Sequence, residues 1–287
     1  MGLNYRILDR ELIAQFIKNA LAEDVGDGDH TSLSTIPEGT QGKAKLLIKE
    51  DGILAGVELA LQIFAQVNPS LEVAVFINDG AHVKVGDIAL TVSGSTHSIL
   101  IAERLVLNCM QRMSGIATKT SKIVQLLSDT KTKLLDTRKT TPGLRYLEKW
   151  AVRIGGGVNH RIGLYDMILI KDNHVDYAGG IQNALAAARK YLQEKNKSLQ
   201  IEIEVRNLSE LNQVIAAGGA DRIMLDNFNF DDLRAAVALI NGRFITEASG
   251  GITEENVVDY ADCGVDYISM GALTHSVKSL DMSLKAY

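Results

Sequence analysis

Across 287 residues the chain carries only two cysteines, three prolines and one tryptophan, and no apolar stretch approaches the roughly 20 residues that a membrane helix needs. Cys109 and Cys263 each fall in an apolar helical pattern with no partner at metal or redox spacing. That excludes a disulfide framework and makes both thiols packing residues. The polar opening MGLNYRILDRE lacks the apolar core of a signal peptide. At 46% hydrophobic and 23% charged, the composition excludes a disordered chain, and the expectation is a soluble, cytoplasmic protein. The length suits about two domains with sizeable cores.

Net charge is small as well, −5, which argues against general nucleic-acid binding. It hides a local reversal between Lys133 and His174. There Lys133, Arg138, Lys139, Arg145, Lys149, Arg153, Arg161 and Lys171 face only Asp136, Glu148, Asp166 and Asp172. One basic stretch in an acidic chain suggests a small anionic ligand.

From Leu134 to Met270 run about six short apolar segments, in LLDTRK, MILIKDNH, IEIEV, RIMLD, FITEASGG and YISMG. Apolar strands alternating with helices imply a parallel sheet, which places its chemistry at the carboxyl ends of its strands. Helix signals lie between them: Thr141 as N-cap before Pro142, with Gly155 to Gly157 as the stop; stripes at Ile181 to Leu192, Leu208 to Ile215 and Leu233 to Ile240; and Thr253 capping a last helix. Strand plus helix at intervals of roughly 20 to 35 residues fits an α/β barrel, complete or short of eight strands. A doubly wound open sheet is the alternative, although no G-x-G-x-x-G follows the first strand.

The first hundred residues read differently. An amphipathic helix (Leu12 to Leu21) leads into the Gly/Asp-rich loop EDVGDGDHTS. Strands follow at 43–49, 71–77, 82–85 and 88–92, with a helix near 57–67, and then one helix at 97–117. This is a small α+β layer, to which the alternating tail Leu280, Met282, Leu284 returns as a strand.

The strand ends carry the candidate site. Arg138 and Lys139 follow one strand, His160 and Arg161 follow a triple glycine, and Lys171, Asn173 and His174 end the next strand. Guanidinium forks and ammonium points converging in this way suit a polyanion. Glu202 and Glu204 share one face of IEIEV, and Asp226 ends RIMLD. Such carboxylates either hold magnesium and stabilise a developing cation or form a structural ion pair with Lys139 or Lys171. The glycine turns of EASGGI (Ser249, Gly250, Gly251) and SMGALTHS (Gly271) permit close approach of a phosphate, although tight turns use the same residues. A Schiff-base aldolase acting through Lys171 is a competing reading, and a ligand-binding relative without chemistry is another.

Through EDVGDGDHTS, ERLVLNCMQRMSGIAT, DTRKTTPGLRYLEKWAVRIGGGVNHRIGLYDMILIKDNH, EVRN, IMLDN, EASGGI and SMGALTHS the chain resembles the quinolinate phosphoribosyltransferases, nearly end to end. The resemblance implies an N-terminal α/β sandwich (1–115, joined by the tail 275–287) and an open α/β barrel (116–274). It implies phosphoribosyl transfer from phosphoribosyl pyrophosphate to quinolinate with magnesium, releasing pyrophosphate and CO2 and giving nicotinate mononucleotide, as in de novo NAD biosynthesis. It also implies a homodimer in which Arg104 is donated across the interface to a quinolinate carboxylate. Arg138, His160, Arg161 and Lys171 would complete that pocket. Lys139 would meet the pyrophosphate side of the second substrate, Glu204 and Asp226 its ribose and magnesium, and Ser249, Gly250, Gly251 and Gly271 its 5′-phosphate.

Overall fold

The structure is a computed structural model and describes residues 10–287; the polar opening noted above falls largely on residues 1–9, outside the described residues. In chain order come α1 (Arg10–Val25), α2 (His30–Thr35), β1 (Gln41–Ile48), β2 (Gly52–Ile53), α3 (Val57–Val67), β3 (Glu72–Val75), β4 (His82–Val83), β5 (Ile88–Ser95) and α4 (Thr96–Leu126). Then follow β6 (Lys133–Leu135), α5 (Arg145–Ile154), β7 (Ile168–Ile170), α6 (Asp172–Ala178), α7 (Ile181–Glu194), β8 (Ile201–Val205) and α8 (Leu208–Ala217). The chain finishes with β9 (Arg222–Asp226), α9 (Phe230–Ile240), β10 (Ile245–Ser249), α10 (Val257–Asp262), β11 (Tyr267–Ser269), α11 (Ala272–His275) and β12 (Met282–Ala286). Two compact units result: one comprises residues up to Ser121 with Thr140–Gly156 and Leu273–Tyr287, the other Lys122–Lys139 with Gly157–Ala272.

In the first unit a four-stranded antiparallel sheet has the order β12-β1-β5-β3. β1 buries Ala44, Leu46 and Ile48 and turns the residues between them away from that face, the period-two pattern of a half-buried strand. The tail does return: Met282 and Leu284 of β12 are buried opposite Ile48 and Leu46. α3 begins at Gly56, where Asp79 accepts the Val57 N–H at 2.8 Å.

Three helices depart from their sequence signals. α4 runs nine residues past the expected end at Ala117, because Thr118 turns its hydroxyl inward, donating to Ser114 O at 2.7 Å and accepting the Ile53 N–H at 2.8 Å. α5 starts at Arg145, not at Pro142: Thr141 donates its N–H to Glu148 Oε2 at 3.0 Å and closes a turn with Leu144. Thr253 likewise donates to Asn256 Oδ1 at 2.8 Å and α10 begins only at Val257. α2 stands at the end of the segment read as a loop, with Asp29 accepting from Ser32 N–H at 3.1 Å. α5, assigned by sequence to the barrel, belongs to the first unit, where buried Glu148 accepts Arg112 Nη2 of α4 at 2.8 Å.

In the second unit six parallel strands are ordered β6-β11-β10-β9-β8-β7. Val158 adds a parallel bridge to Leu135 of β6. Laid flat, the strands between that bridge and β8 would span roughly 20 Å. His160, two residues beyond Val158, nevertheless reaches Glu202 of β8 at 2.8 Å. The sheet therefore curls on itself into an open barrel, and the doubly wound alternative falls.

Candidate active site

Strand register sets the inward residues at graded depths. Leu169, Glu202, Arg222 and Ile245 are linked Cα partners across β7 to β10; Glu204, Met224, Glu247 and Tyr267 form the next row, and Asp226 pairs with Ser249 beyond it. Residues in register share a face, so Glu202, Arg222 and Glu247 converge inside the barrel.

Deepest lies a sealed cluster. Arg222 Nη1 donates to Glu247 Oε2 at 3.1 Å, and its guanidinium carbon lies 4.6 Å from the Tyr267 ring centre. His160 Nε2 is 2.8 Å from Glu202 Oε2 and 3.4 Å from Glu247 Oε2. Burial works against a charge on the His160 ring and the hydrogen bonds to Glu202 and Glu247 work for it; because Nδ1 accepts the Arg161 N–H at 2.8 Å, the ring is neutral with its hydrogen on Nε2. Burial, with the charge of Glu247, pushes Glu202 up to about 7. Burial works the same way on Glu247, yet its bonds to His160 and the charge of Arg222 hold it low. With Arg222 positive, Glu247 negative, His160 neutral and Glu202 holding its proton, the cluster is neutral. His160, Glu202 and Glu247 bring potential metal-ligand atoms within 4.8 Å of one another. Arg222 already supplies the countercharge, so a divalent ion would add charge that nothing here balances.

Nearer the strand ends the character changes. Lys171 Nζ, on a half-exposed side chain, pairs with Glu204 Oε2 at 2.7 Å, while His174 Nδ1 accepts the Lys171 N–H at 3.0 Å. The ion pair left open by the sequence is thus made with Lys171. Burial first, and then the charge of Arg138, hold the Arg161 pKa below its ordinary value. Arg161 donates to Met167 O at 3.2 Å; Arg138 Nε is buried with no hydrogen-bond partner. Lys139 is exposed just beyond Arg138, its N–H on Thr137 Oγ1 at 3.0 Å.

Asp226 is partly exposed at the end of β9 and accepts Asn227 Nδ2 at 2.6 Å. Asn227, left-handed at φ +56, donates its N–H to Ser249 O at 2.8 Å, tying the two strand ends together. Gly250 has φ +94, and a Cβ there would run into Asn227 Oδ1; Gly251 has φ +61 and open space around it. Gly271 follows β11, whose Ser269 is in register with Leu135 of β6. Arg104, in the first unit, is exposed on α4 with no side-chain partner among the described residues. The second unit therefore holds all the predicted site residues but Arg104. The sequence reading did not assign Arg222, Glu247 or Asn227. The signal for the first was available: Arg222, Met224 and Asp226 alternate as Glu202 and Glu204 do, and an inward arginine requires an inward acid.

A parallel barrel whose strand ends join clustered cations, two carboxylates and open glycine turns defines an α/β enzyme acting on small polyanions. Residues 116–285 match the family model of the quinolinate phosphoribosyl transferase C-terminal domain and residues 29–114 that of its N-terminal domain. The chain is 51% identical over 284 residues to the chloroplastic nicotinate-nucleotide pyrophosphorylase (carboxylating) of Arabidopsis thaliana, covering 94% of this chain and 81% of that protein. Identity to quinolinate phosphoribosyltransferase (decarboxylating) 1b of Nicotiana tabacum is 50% over 284 residues, with the same coverage of each. The solved structure of NadC from Streptococcus pyogenes superposes with a TM-score of 0.91 at 40% identity, covering 97% of each chain. The chain belongs to the quinolinate phosphoribosyltransferase family.

Proposed function

We infer that the protein transfers the phosphoribosyl group of phosphoribosyl pyrophosphate to the ring nitrogen of quinolinate, with loss of CO2, giving nicotinate mononucleotide and pyrophosphate for NAD biosynthesis. The observation that carries the site assignment is Arg138 and Arg161 at the strand ends of one barrel, each within the field of the other's charge, with a buried Nε of Arg138 unmatched by the protein. Like charges so held gain from a dianion what they lose to each other. Quinolinate offers two adjacent carboxylates. Arg138 and Arg161 take them, with Lys171 beside them; Lys139, exposed, meets the pyrophosphate; Ser249, Gly250, Gly251 and Gly271 admit the 5′-phosphate.

As pyrophosphate departs, positive charge grows on the sugar carbon, and Glu204 and Asp226 stabilise that state more than the ground state. Nitrogen attack makes the ring cationic, and the cationic ring then accepts the electrons that decarboxylation leaves behind. Both acids offer only hard oxygen donors, which fit magnesium brought in with phosphoribosyl pyrophosphate; bound there, magnesium would neutralise the leaving pyrophosphate. Lys171 as a Schiff-base nucleophile needs a neutral, desolvated amine, and its side chain is instead 46% exposed and paired with an acid.

Arg104, exposed and unpaired among the described residues, is assigned to the partner's site in a homodimer. Mixing Arg104→Ala with Glu204→Gln subunits restores part of the activity if sites are shared; no recovery after confirmed subunit exchange rejects sharing. Two free, buried thiols, with Cys109 pushed up to about 12 by burial, support a reducing, cytoplasmic setting. Relatives named as chloroplastic or mitochondrial make an organelle the competing result of cell fractionation. The activity test is direct: quinolinate, phosphoribosyl pyrophosphate and magnesium should yield nicotinate mononucleotide, and failure to form it defeats the assignment.

A further inference from the structure

The sealed cluster takes no part in the chemistry above, yet it reaches the cation pair at one point, the peptide bond between His160 and Arg161. Both ring nitrogens of His160 are engaged within the protein: Nε2 faces Glu202 and Glu247 at 2.8 and 3.4 Å, and Nδ1 accepts the Arg161 N–H at 2.8 Å. Its own N–H goes to Asp136 Oδ1 at 2.9 Å, and Asn159 Nδ2 donates to Asp136 Oδ2 at 2.5 Å. Glu202 and Glu247 are 0% exposed and His160 6%. A ring held from both sides has no nitrogen left for a substrate carboxylate. The resemblance assigns His160 such a contact, and the geometry gives it different work.

We propose that His160 is a positioning residue, gripped by the buried Glu202, Glu247 and Arg222, which fixes the turn Asn159-His160-Arg161 and so sets where the Arg161 guanidinium meets the diacid. The proposal rests on the reading of Arg161 as a quinolinate ligand. Its logic is that a guanidinium recognises a carboxylate through fixed fork geometry, so an error of about 1 Å in its base is costly. Glu202 and Glu247 thereby act on binding without touching substrate.

Two measurements decide it, each on the full-length protein. In the first, ring 15N spectra of His160 are recorded with and without quinolinate. The Nε2 hydrogen bond to Glu202 should persist when the arginine side-chain signals shift; a change of partner at Nε2 on binding makes His160 a direct ligand and overturns the proposal. In the second, Glu202→Gln and His160→Ala each raise the KM for quinolinate by about ten- to a hundredfold, leave the KM for phosphoribosyl pyrophosphate unchanged, and combine to no more than the larger single effect. Additive effects, or a Glu202→Gln enzyme indistinguishable from wild type, overturn it. Should Glu202→Gln not fold, the spectra on the wild type still give the answer. Wild-type protein that neither binds nor consumes quinolinate sinks the parent reading and this one with it; wild-type turnover with an unaffected Glu202→Gln enzyme sinks this one alone.

Discussion

Glu202 and Glu204 lie two residues apart on the same face of β8 and meet opposite fates. Glu202 is enclosed with Arg222, Glu247 and His160, where each charge has an opposite partner within 4.0 Å although Arg222 Nε, Glu202 Oε1 and Glu247 Oε1 make no hydrogen bond. Glu204 meets a half-exposed lysine. A charge deep in a barrel must be matched by the fold, because water cannot reach it. A charge at the strand ends can wait for a ligand. Depth along one strand thus separates residues that hold the barrel together from residues that recognise an anion, although both sets are drawn from the same amino-acid types.

The hardest way to break this contrast is to unbalance the deep level. Glu247→Ala leaves Arg222 without the acid it donates to, and loss of one partner of a buried pair costs about 3–5 kcal/mol. Denaturant unfolding should show that loss; a stability within about 0.5 kcal/mol of wild type means the cluster is not the neutral unit described. Arg138→Ala should do the reverse. It removes one of two like charges, so the melting temperature holds or rises, while quinolinate affinity falls by about 2–3 kcal/mol, roughly a hundredfold, through lost charge-assisted hydrogen bonds. Titration calorimetry with quinolinate alone separates this from any effect on the second substrate. If both substitutions act on stability equally, depth does not sort the charges.

A gentler probe is Gly250→Ala. The backbone there is left-handed and an added methyl meets Asn227 Oδ1, so the turn must shift and carry Asn227, with its hold on Asp226, along with it. The KM for phosphoribosyl pyrophosphate should rise about tenfold, with quinolinate binding nearly unchanged. An effect confined to quinolinate would detach this turn from the phosphate.

The sequence exposed the rim better than the floor. Arg138, Arg161, Lys171, Asp226 and the glycine turns all stand at strand ends, where alternation of strand and helix makes position legible without tertiary knowledge. The partner of Glu202 was not legible, because His160 reaches it only once six strands have curled, and periodicity within a strand says nothing about which loop arrives from the other side. The same limit applies to α5. Its apolar stripe was visible, but its membership of the first unit depends on the buried Glu148 meeting Arg112, a contact 36 residues apart in sequence. Helix starts failed where a threonine donated its backbone N–H to a later side chain instead of capping, as at Thr141 and Thr253.

The smallest expected effect is a pH dependence that belongs to the deep level. Burial, with the charge of Glu247, raises the Glu202 pKa to about 7, above its ordinary value of 4.5. A folded-state pKa raised in this way gives stability that is fully present below the ordinary value and is lost as pH rises through about 7. Between those two values the folded protein binds more protons than the unfolded chain, so stability declines with rising pH. Melting temperature should therefore fall between about pH 4.5 and 7 on account of Glu202, and Glu202→Gln, which cannot ionise, should flatten that part of the slope. Because Glu204 lies outside the cluster, Glu204→Gln should leave the slope as it is. Equal slopes in wild type and Glu202→Gln, or a slope abolished by Glu204→Gln, would place the titrating charge at the rim and reverse the division between the two levels.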